Sequence, residues 1–243
     1  MIINLKNNKL DYVSKILFLL KNNTSKYIIW HFIKQKFLNL IIKRKIIKYK
    51  KKNQKHIESK KITSDYFSSH AFNFFYCLKQ LPPSFNYLEI GSYEGNSAIF
   101  VANLYPLSKV NCVDTWQKTN EYIGHTSFTK IEDNFDYNVS NYRNIFKNKK
   151  TSDSFFNTNS LKFDVIYIDG YHYGPQVYKD CINAWNALRK NGFLICDDYI
   201  WNFYVDTKNN PCHAINNFLE EIKGLYQIEK VSNSQIFIKK IND

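Results

Sequence analysis

From Ile62 onward the apolar positions switch repeatedly between helical and strand spacing. "TSDYFSSHAFNFFYCLKQL" predicts a helix capped by Thr63 or Ser64, with Phe67, Phe74, Phe75 and Leu78 facing a core and Pro82-Pro83 stopping it. "NYLEIG" predicts a buried strand and 95–104 a helix. "KVNCVD" is a second strand, 128–142 an irregular helical region, and "RNIF" a weak third strand. "FDVIYID" is a strong fourth strand, followed by a helix through "VYKDCINAWNAL" and a fifth strand, "GFLICDD". A helix near 212–222 precedes "LYQIEKV" and "SQIFIKK", which are close enough to pair as a hairpin. Repeated strand–helix units imply an α/β fold: a doubly wound, mostly parallel, seven-stranded sheet with helices on both faces and a C-terminal antiparallel hairpin.

The chain before Ile62 reads differently. In "YIIWHFIKQKFLNLIIKRKIIKYKKKNQK", Ile29, Phe32, Ile33, Phe37, Leu40 and Ile41 recur at helical spacing with lysines between them. Its apolar runs fall short of the ~20 residues of a spanning helix. The earlier "ILFLL" is too short for a secretory core. Residues 1–62 hold 17 Lys/Arg and two acids, Asp11 and Glu58, a net of +15. The rest holds 17 basic and 19 acidic residues, so the formal +13 belongs to this basic, helical N-terminal extension. The expected organisation is an extension over 1–61 and a domain over 62–243. A basic amphipathic helix can lie on an anionic membrane or bind a polyanion. It can equally be an extension packed on the domain or on a partner, with a solvated lysine tail.

A hydrophobic content of 44% with 17% aromatics fits a globular chain. The five cysteines (77, 112, 181, 196, 212) are scattered without a CxxC pair, which argues against a disulfide framework or a zinc site and for a reducing, cytoplasmic setting.

In open α/β sheets, ligands sit beyond the carboxyl ends of the strands. Glu89 and Gly91 follow the first strand, Asp114 the second, Asp169 the fourth, and Asp197-Asp198 the fifth, all on one sheet edge. The turn "EIGSYEG" spaces its glycines as Gly91-x-x-x-Gly95, so it is not the GxGxxG dinucleotide fingerprint. It suits a ligand that approaches the backbone closely but carries no diphosphate. Asp114, 23 residues past Gly91, is placed to accept ribose hydroxyls. Alone, Gly91 is a tight turn and Asp114 a helix cap; together they favour a nucleoside-type ligand.

"YLEIGSYEGNSAIFVA", "VNCVDTW", "FDVIYIDGYH" and "GFLICDDYIW" occur in order. They resemble the motifs of class I S-adenosylmethionine-dependent methyltransferases, in particular the methyltransferase-domain family that includes macrocin-type sugar O-methyltransferases. The resemblance runs from about Ser64 to Lys240 and leaves residues 1–61 outside. It implies a Rossmann-like fold in which Glu89, Gly91, Tyr93, Gly95 and Ser97 surround the methionine end of S-adenosylmethionine. It further implies that Asp114 binds the ribose, with Trp116 and Ser152 near the adenine.

The related metal-dependent O-methyltransferases place an Asp at the fourth strand and an acidic pair at the fifth. The resemblance therefore implies Mg2+ on Asp169, Asp197 and Asp198, since carboxylates at close range raise one another's pKa unless a cation neutralises them; the alternative is that one Asp caps the following helix, another bonds backbone amides and no metal binds. A metal there would hold two vicinal substrate oxygens and acidify one of them. His172, three residues after Asp169, is placed to take the hydroxyl proton. His125, in the "NEYIGHTSF" loop, could cover the substrate.

"DGYHYG" stands where base N-methylating enzymes carry Asn/Asp-Pro-Pro-Tyr/Phe, so a hydroxyl acceptor is expected, and the resemblance implies that it is a sugar, a glycan precursor or another vicinal diol. A homo-oligomer and a peripheral membrane position stay open. The rival readings are a nucleic-acid-binding protein or RNA-directed methyltransferase using the basic arm, and a non-catalytic scaffold. The retained Gly91, Gly95 and Asp114 speak against the scaffold.

Overall fold

A computed structural model describes residues 11–117, 130–232 and 234–243. The elements run α1 (Tyr12–Lys21), α2 (Lys26–Ile41), α3 (Lys43–Ile57), α4 (Ala71–Leu78), β1 (Asn86–Ile90), α5 (Asn96–Leu104) and β2 (Lys109–Asp114). They continue with α6 (Ile131–Val139), β3 (Ile145–Lys149), α7 (Ser152–Thr158), β4 (Phe163–Ile168), α8 (Gly174–Ala187) and β5 (Leu188–Cys196). After a 3-10 turn at Thr207–Asn209 come α9 (Pro211–Glu221), β6 (Tyr226–Val231) and β7 (Ile236–Lys240). The strands form one seven-stranded sheet in the order β3-β2-β1-β4-β5-β7-β6. β1 pairs with β2 and β2 with β3 in parallel, while β7 runs antiparallel to both β5 and β6. This is the doubly wound fold that the alternating periods predict, closing hairpin included.

The chain divides into two compact units. One comprises Asn39–Ile166. In it the strands are near-continuous apolar runs, as parallel strands covered on both faces must be: Tyr87, Leu88, Val110, Cys112, Phe163 and Val165 are fully buried. α5 is buried from Asn96 to Ala102. α3 lies on α4, with Tyr49 stacked on Phe75 at 4.3 Å. Buried Asn53 on α3 donates to Ser68 Oγ and to Asn96 Oδ1.

The other unit joins the described residues up to Leu38 to Tyr167–Asp243. Here α8 packs on α9, and Asn216 of α9 donates to Asn22 O and Thr24 Oγ1 at the α1–α2 turn. Ile28, Ile29 and Phe32 bury one side of α2. Residues of the basic N-terminal segment thus enter the core of each unit.

The helix predicted from Thr63 is shorter than its pattern suggests, because α4 starts only at Ala71. The polar side chains ahead of it are engaged elsewhere. Asp65 Oδ1 accepts from Ser68 N–H and from Asn96 Nδ2, while Thr63 N–H goes to Glu94 Oε2. Local side-chain bonds of this kind compete with the helix for backbone groups. Thr63 is therefore tied to the turn after β1 and caps no helix.

Candidate active site

The turn between β1 and α5 needs left-handed backbone at Gly91 (φ 87°), Tyr93 (φ 46°) and Gly95 (φ 83°). Gly95 has a second constraint, since a Cβ there would lie 3.2 Å from both Phe135 and Val139 side chains. Gly95→Ala is expected to lower stability by about 1–2 kcal/mol from backbone strain alone. Denaturant unfolding checks this, and an unchanged midpoint would contradict it.

Asp114, at the end of β2, holds the turn shut. Its Oδ2 accepts from the N–H groups of Ser92 (2.9 Å) and Tyr93 (3.0 Å), and its Oδ1 from Trp116 N–H (2.7 Å). Burial raises its pKa against these bonds, which favour the charged form. Three of roughly four acceptor sites of the carboxylate are thereby used. Trp116 adopts φ 50° and donates from Nε1 to Tyr93 O at 2.8 Å. Its ring packs on Phe135 at 4.7 Å, with Lys147 Nζ 4.7 Å from its centroid. Ser152 opens α7, after β3 and the capping Thr151.

Glu89 is wholly buried beneath the turn. Its Oε2 accepts from Tyr87 OH at 2.9 Å, whereas Oε1 has no hydrogen-bond partner. Burial pushes Glu89 up to about 7, partly offset by the neighbouring hydroxyls of Ser97, Tyr87 and Ser92. A carboxyl raised from 4.5 to about 7 binds its proton more tightly in the native state. It contributes stability below pH 4.5 that is lost as pH rises through 7, about 3 kcal/mol in all. Glu89→Gln should therefore gain on the wild type in urea unfolding between pH 5 and 8, and a pH-independent difference would refute the buried acid.

Glu94 adds a carboxylate that the sequence reading passed over. It accepts from Thr63 N–H (2.6 Å) and Asn134 Nδ2 (2.8 Å), tying the turn to the segment before α4 and to α6.

In the other unit, β4 and β5 end on a second polar cluster. His172 Nε2 lies 2.7 Å from Asp198 Oδ2 and 4.0 Å from Asp169 Oδ1. One ligand atom from each of Asp169, His172 and Asp198 lies within 4.8 Å of the others. Asp197 is placed differently from its neighbour. Its Oδ1 accepts from Asp198 N–H, and its Oδ2 from Gln235 Nε2 (2.6 Å) and Tyr167 OH (2.5 Å). The same hydroxyl lies 2.8 Å from Asp169 Oδ2. A hydroxyl has one proton to donate, so one of these two contacts requires a proton from the acid side. Burial, then the charges of Asp197 and Asp198, push the Asp169 carboxyl well above the usual carboxylate range. Its side chain still keeps 34% of its surface exposed.

Tyr167 and Gln235 escaped the sequence reading. Tyr167 could have been found, since it lies two residues before Asp169 along a strand and so shares its face. Gln235 could not, because it is 38 residues away from Asp197 in the chain. Trp201 packs 4.7 Å from His172 and stacks on Phe203 at 4.9 Å, with Tyr204 and Tyr173 next to them. The aromatic run after "DDY" was the signal for this wall. His125 lies outside the described residues.

Residues 88–199 match the sequence model of a family described as a methyltransferase domain. No curated protein matches the chain. Among solved structures, one designated a caffeoyl-CoA O-methyltransferase from Staphylococcus aureus is similar at 14% identity and a TM-score of 0.54, covering 86% of this chain and 99% of that one. One designated an rRNA methylase from Clostridium thermocellum reaches 0.55 at 14% identity, over 74% and 100%. MycE, a methyltransferase of the mycinamycin biosynthetic pathway solved with Mg and S-adenosylhomocysteine, reaches 0.53 at 12% identity. That match covers 74% of this chain and 51% of MycE, so the chain spans about half of MycE's length. At such identities these likenesses speak for the fold alone. Over residues 88–199 the chain is therefore similar to a methyltransferase domain, on a fold shared with solved methyltransferases.

Proposed function

We propose that the protein is an O-methyltransferase acting on a hydroxyl of a sugar or another small vicinal diol, with a divalent cation held by Asp169, His172 and Asp198. The observation that carries this reading is the convergence of those three donor groups at the ends of β4 and β5.

The residues of the β1–α5 turn fit S-adenosylmethionine. Glu89 Oε1 is buried and makes no hydrogen bond, and an ammonium group is the complement that a buried carboxyl lacks. Glu89, Gly91, Tyr93, Gly95 and Ser97 would hold the methionine end. Asp114, with one acceptor site left, would take the ribose, with Trp116 and Ser152 on the adenine side. When bound, the cofactor supplies an electrophilic methyl group. The turn's own contribution is a fixed, low-polarity seat in which Glu89 gives up its proton to pair with a cation. Proton release on binding S-adenosylhomocysteine near pH 6, measured by calorimetry in buffers of different ionisation heat, tests that assignment.

Two carboxylates and an imidazole suit a divalent cation, and the imidazole extends the choice beyond magnesium to manganese or zinc. A metal there would lower the pKa of a bound acceptor hydroxyl. The chain's own groups do the rest. Tyr167 and Gln235 hold Asp197, and Asp197 in turn holds the Asp198 backbone through its N–H. The aromatic wall beside His172 gives the acceptor an apolar flank. MycE, whose structure was also solved with Mg, S-adenosylhomocysteine and mycinamycin VI, lends the sugar-type acceptor its support.

The 2.7 Å contact of His172 with Asp198 favours a second reading, in which Asp198 orients His172 as a general base and no metal takes part. A radiolabelled-methyl assay over a panel of sugars and catechols, with and without chelator, separates the two. Chelator-sensitive transfer supports the metal, chelator-resistant transfer the dyad. Transfer to RNA instead of small hydroxylated acceptors would overturn both.

A further inference from the structure

We propose that α2 docks the protein on an anionic lipid surface, entering the interface with its exposed apolar side, while the polybasic sequence that follows it in the chain supplies the charge. α2 is apolar on two opposite sides. Ile28, Ile29 and Phe32 are buried, while Tyr27, Trp30, Phe37, Leu38 and Ile41 are 39–80% exposed. At about 100° per residue, these five and Lys34 share one arc of about 100°, opposite the buried set. A helix needs one apolar side to join a core, so the second is surplus to folding. Exposed apolar residues scattered singly are ordinary, but aromatic and aliphatic groups aligned along one side of a helix mark an interaction surface.

What covers that side is indicated by charge. A single residue, Ile42, separates the end of α2 from the start of α3. From Lys26 to Ile57 the chain holds eleven Lys/Arg and no acid. On α3, Lys43, Arg44, Lys45, Lys48, Lys50, Lys51, Lys52 and Lys55 are all exposed. Asn53 and Tyr49 fix the other side of α3 to the protein. An apolar anchor followed by a polybasic segment is the composition that binds anionic bilayers, where each basic residue near the surface adds about 1 kcal/mol. Nucleic acid would use the lysines but has no complement for the aliphatic side of α2. Among the described residues no helix is long and apolar enough to cross a membrane, so the mode is peripheral. This inference does not depend on the acceptor or the metal.

The test is flotation of the full-length protein with vesicles of phosphatidylcholine alone and of phosphatidylcholine with 30% phosphatidylglycerol, with Trp emission recorded. Three proteins are compared: wild type, Trp30→Ser/Phe37→Ser/Ile41→Ser, and Lys48→Gln/Lys51→Gln/Lys52→Gln/Lys55→Gln. All substitutions are at solvent-exposed positions, and circular dichroism and S-adenosylhomocysteine affinity confirm folding. The wild type is expected to float with the anionic vesicles, weakened by high salt, with a blue shift of emission that the triple variant loses. Each variant should bind at least about tenfold more weakly. Failure to float, or flotation unaffected by either variant, would overturn the proposal. So would a concentration-dependent dimer abolished by the triple variant without vesicle binding, which would assign the apolar side to a second copy. Salt-sensitive binding of RNA without vesicle binding would assign the lysines to nucleic acid and equally overturn it.

Discussion

Asp198→Asn is expected to abolish stabilisation by divalent cations and to lower methyl transfer by at least about 10³-fold. Asparagine is the informative replacement because Asp198 sits at φ 52°, a conformation that Asn tolerates and Ala does not. Loss of function then reports the missing carboxylate and not a strained backbone. In the wild type, Mn2+ or Mg2+ at a hundredfold over its dissociation constant adds about 2.7 kcal/mol to stability. For a chain of this size that is about 5–10 °C in melting temperature. The variant should show no such rise and should keep its affinity for S-adenosylhomocysteine, which is held by the other unit's residues in the proposed reading. A wild type indifferent to both metals would remove the cation from the mechanism and leave the His172–Asp198 pair as the base. A variant that still responds to metal would remove Asp198 from the ligand set and return Asp197 to it.

Asp114→Ala carries the second large effect, on binding and on stability together. The substitution leaves the N–H groups of Ser92, Tyr93 and Trp116 without their acceptor. Each unsatisfied buried donor costs about 1–3 kcal/mol, so stability should fall by about 3 kcal/mol or more. Affinity for S-adenosylhomocysteine, read by calorimetry, should fall at least about 100-fold, since the turn loses its clamp and the ribose its acceptor. The two roles can be told apart with an analogue lacking the ribose hydroxyls. If Asp114 binds the ribose, wild type and variant differ much less toward the analogue than toward the natural ligand. An equal loss for both ligands would make Asp114 a clamp of the turn only.

The strand–helix alternation was legible because parallel strands buried on both faces must be continuous apolar runs, and "YLEI", "VNCVD", "FDVIYI" and "GFLIC" are such runs. The strand-end acids were legible for a related reason: a charged residue ending an apolar strand must lie at the sheet edge. Gly91 and Gly95 announced a tight turn, and the structure has left-handed backbone at both. Helix boundaries were less legible. Thr63 looks like a cap, but its N–H is claimed by Glu94, 31 residues on, a competition that no local pattern shows.

Tertiary structure alone decided which acids meet. Asp197 and Asp198 are adjacent, yet consecutive side chains diverge. One turns to Tyr167 and Gln235, the other to His172 and Asp169. It alone also decided which side of α2 is buried, because the apolar period of that helix is satisfied on both sides and only packing chooses Ile28, Ile29 and Phe32. The sequence by itself determined the succession of elements, the class of the turn and the basic character of the N-terminal helices, all of which follow from local spacing and composition. The partners of each buried polar group rested on contacts between residues distant in the chain, which only folding brings within hydrogen-bond reach.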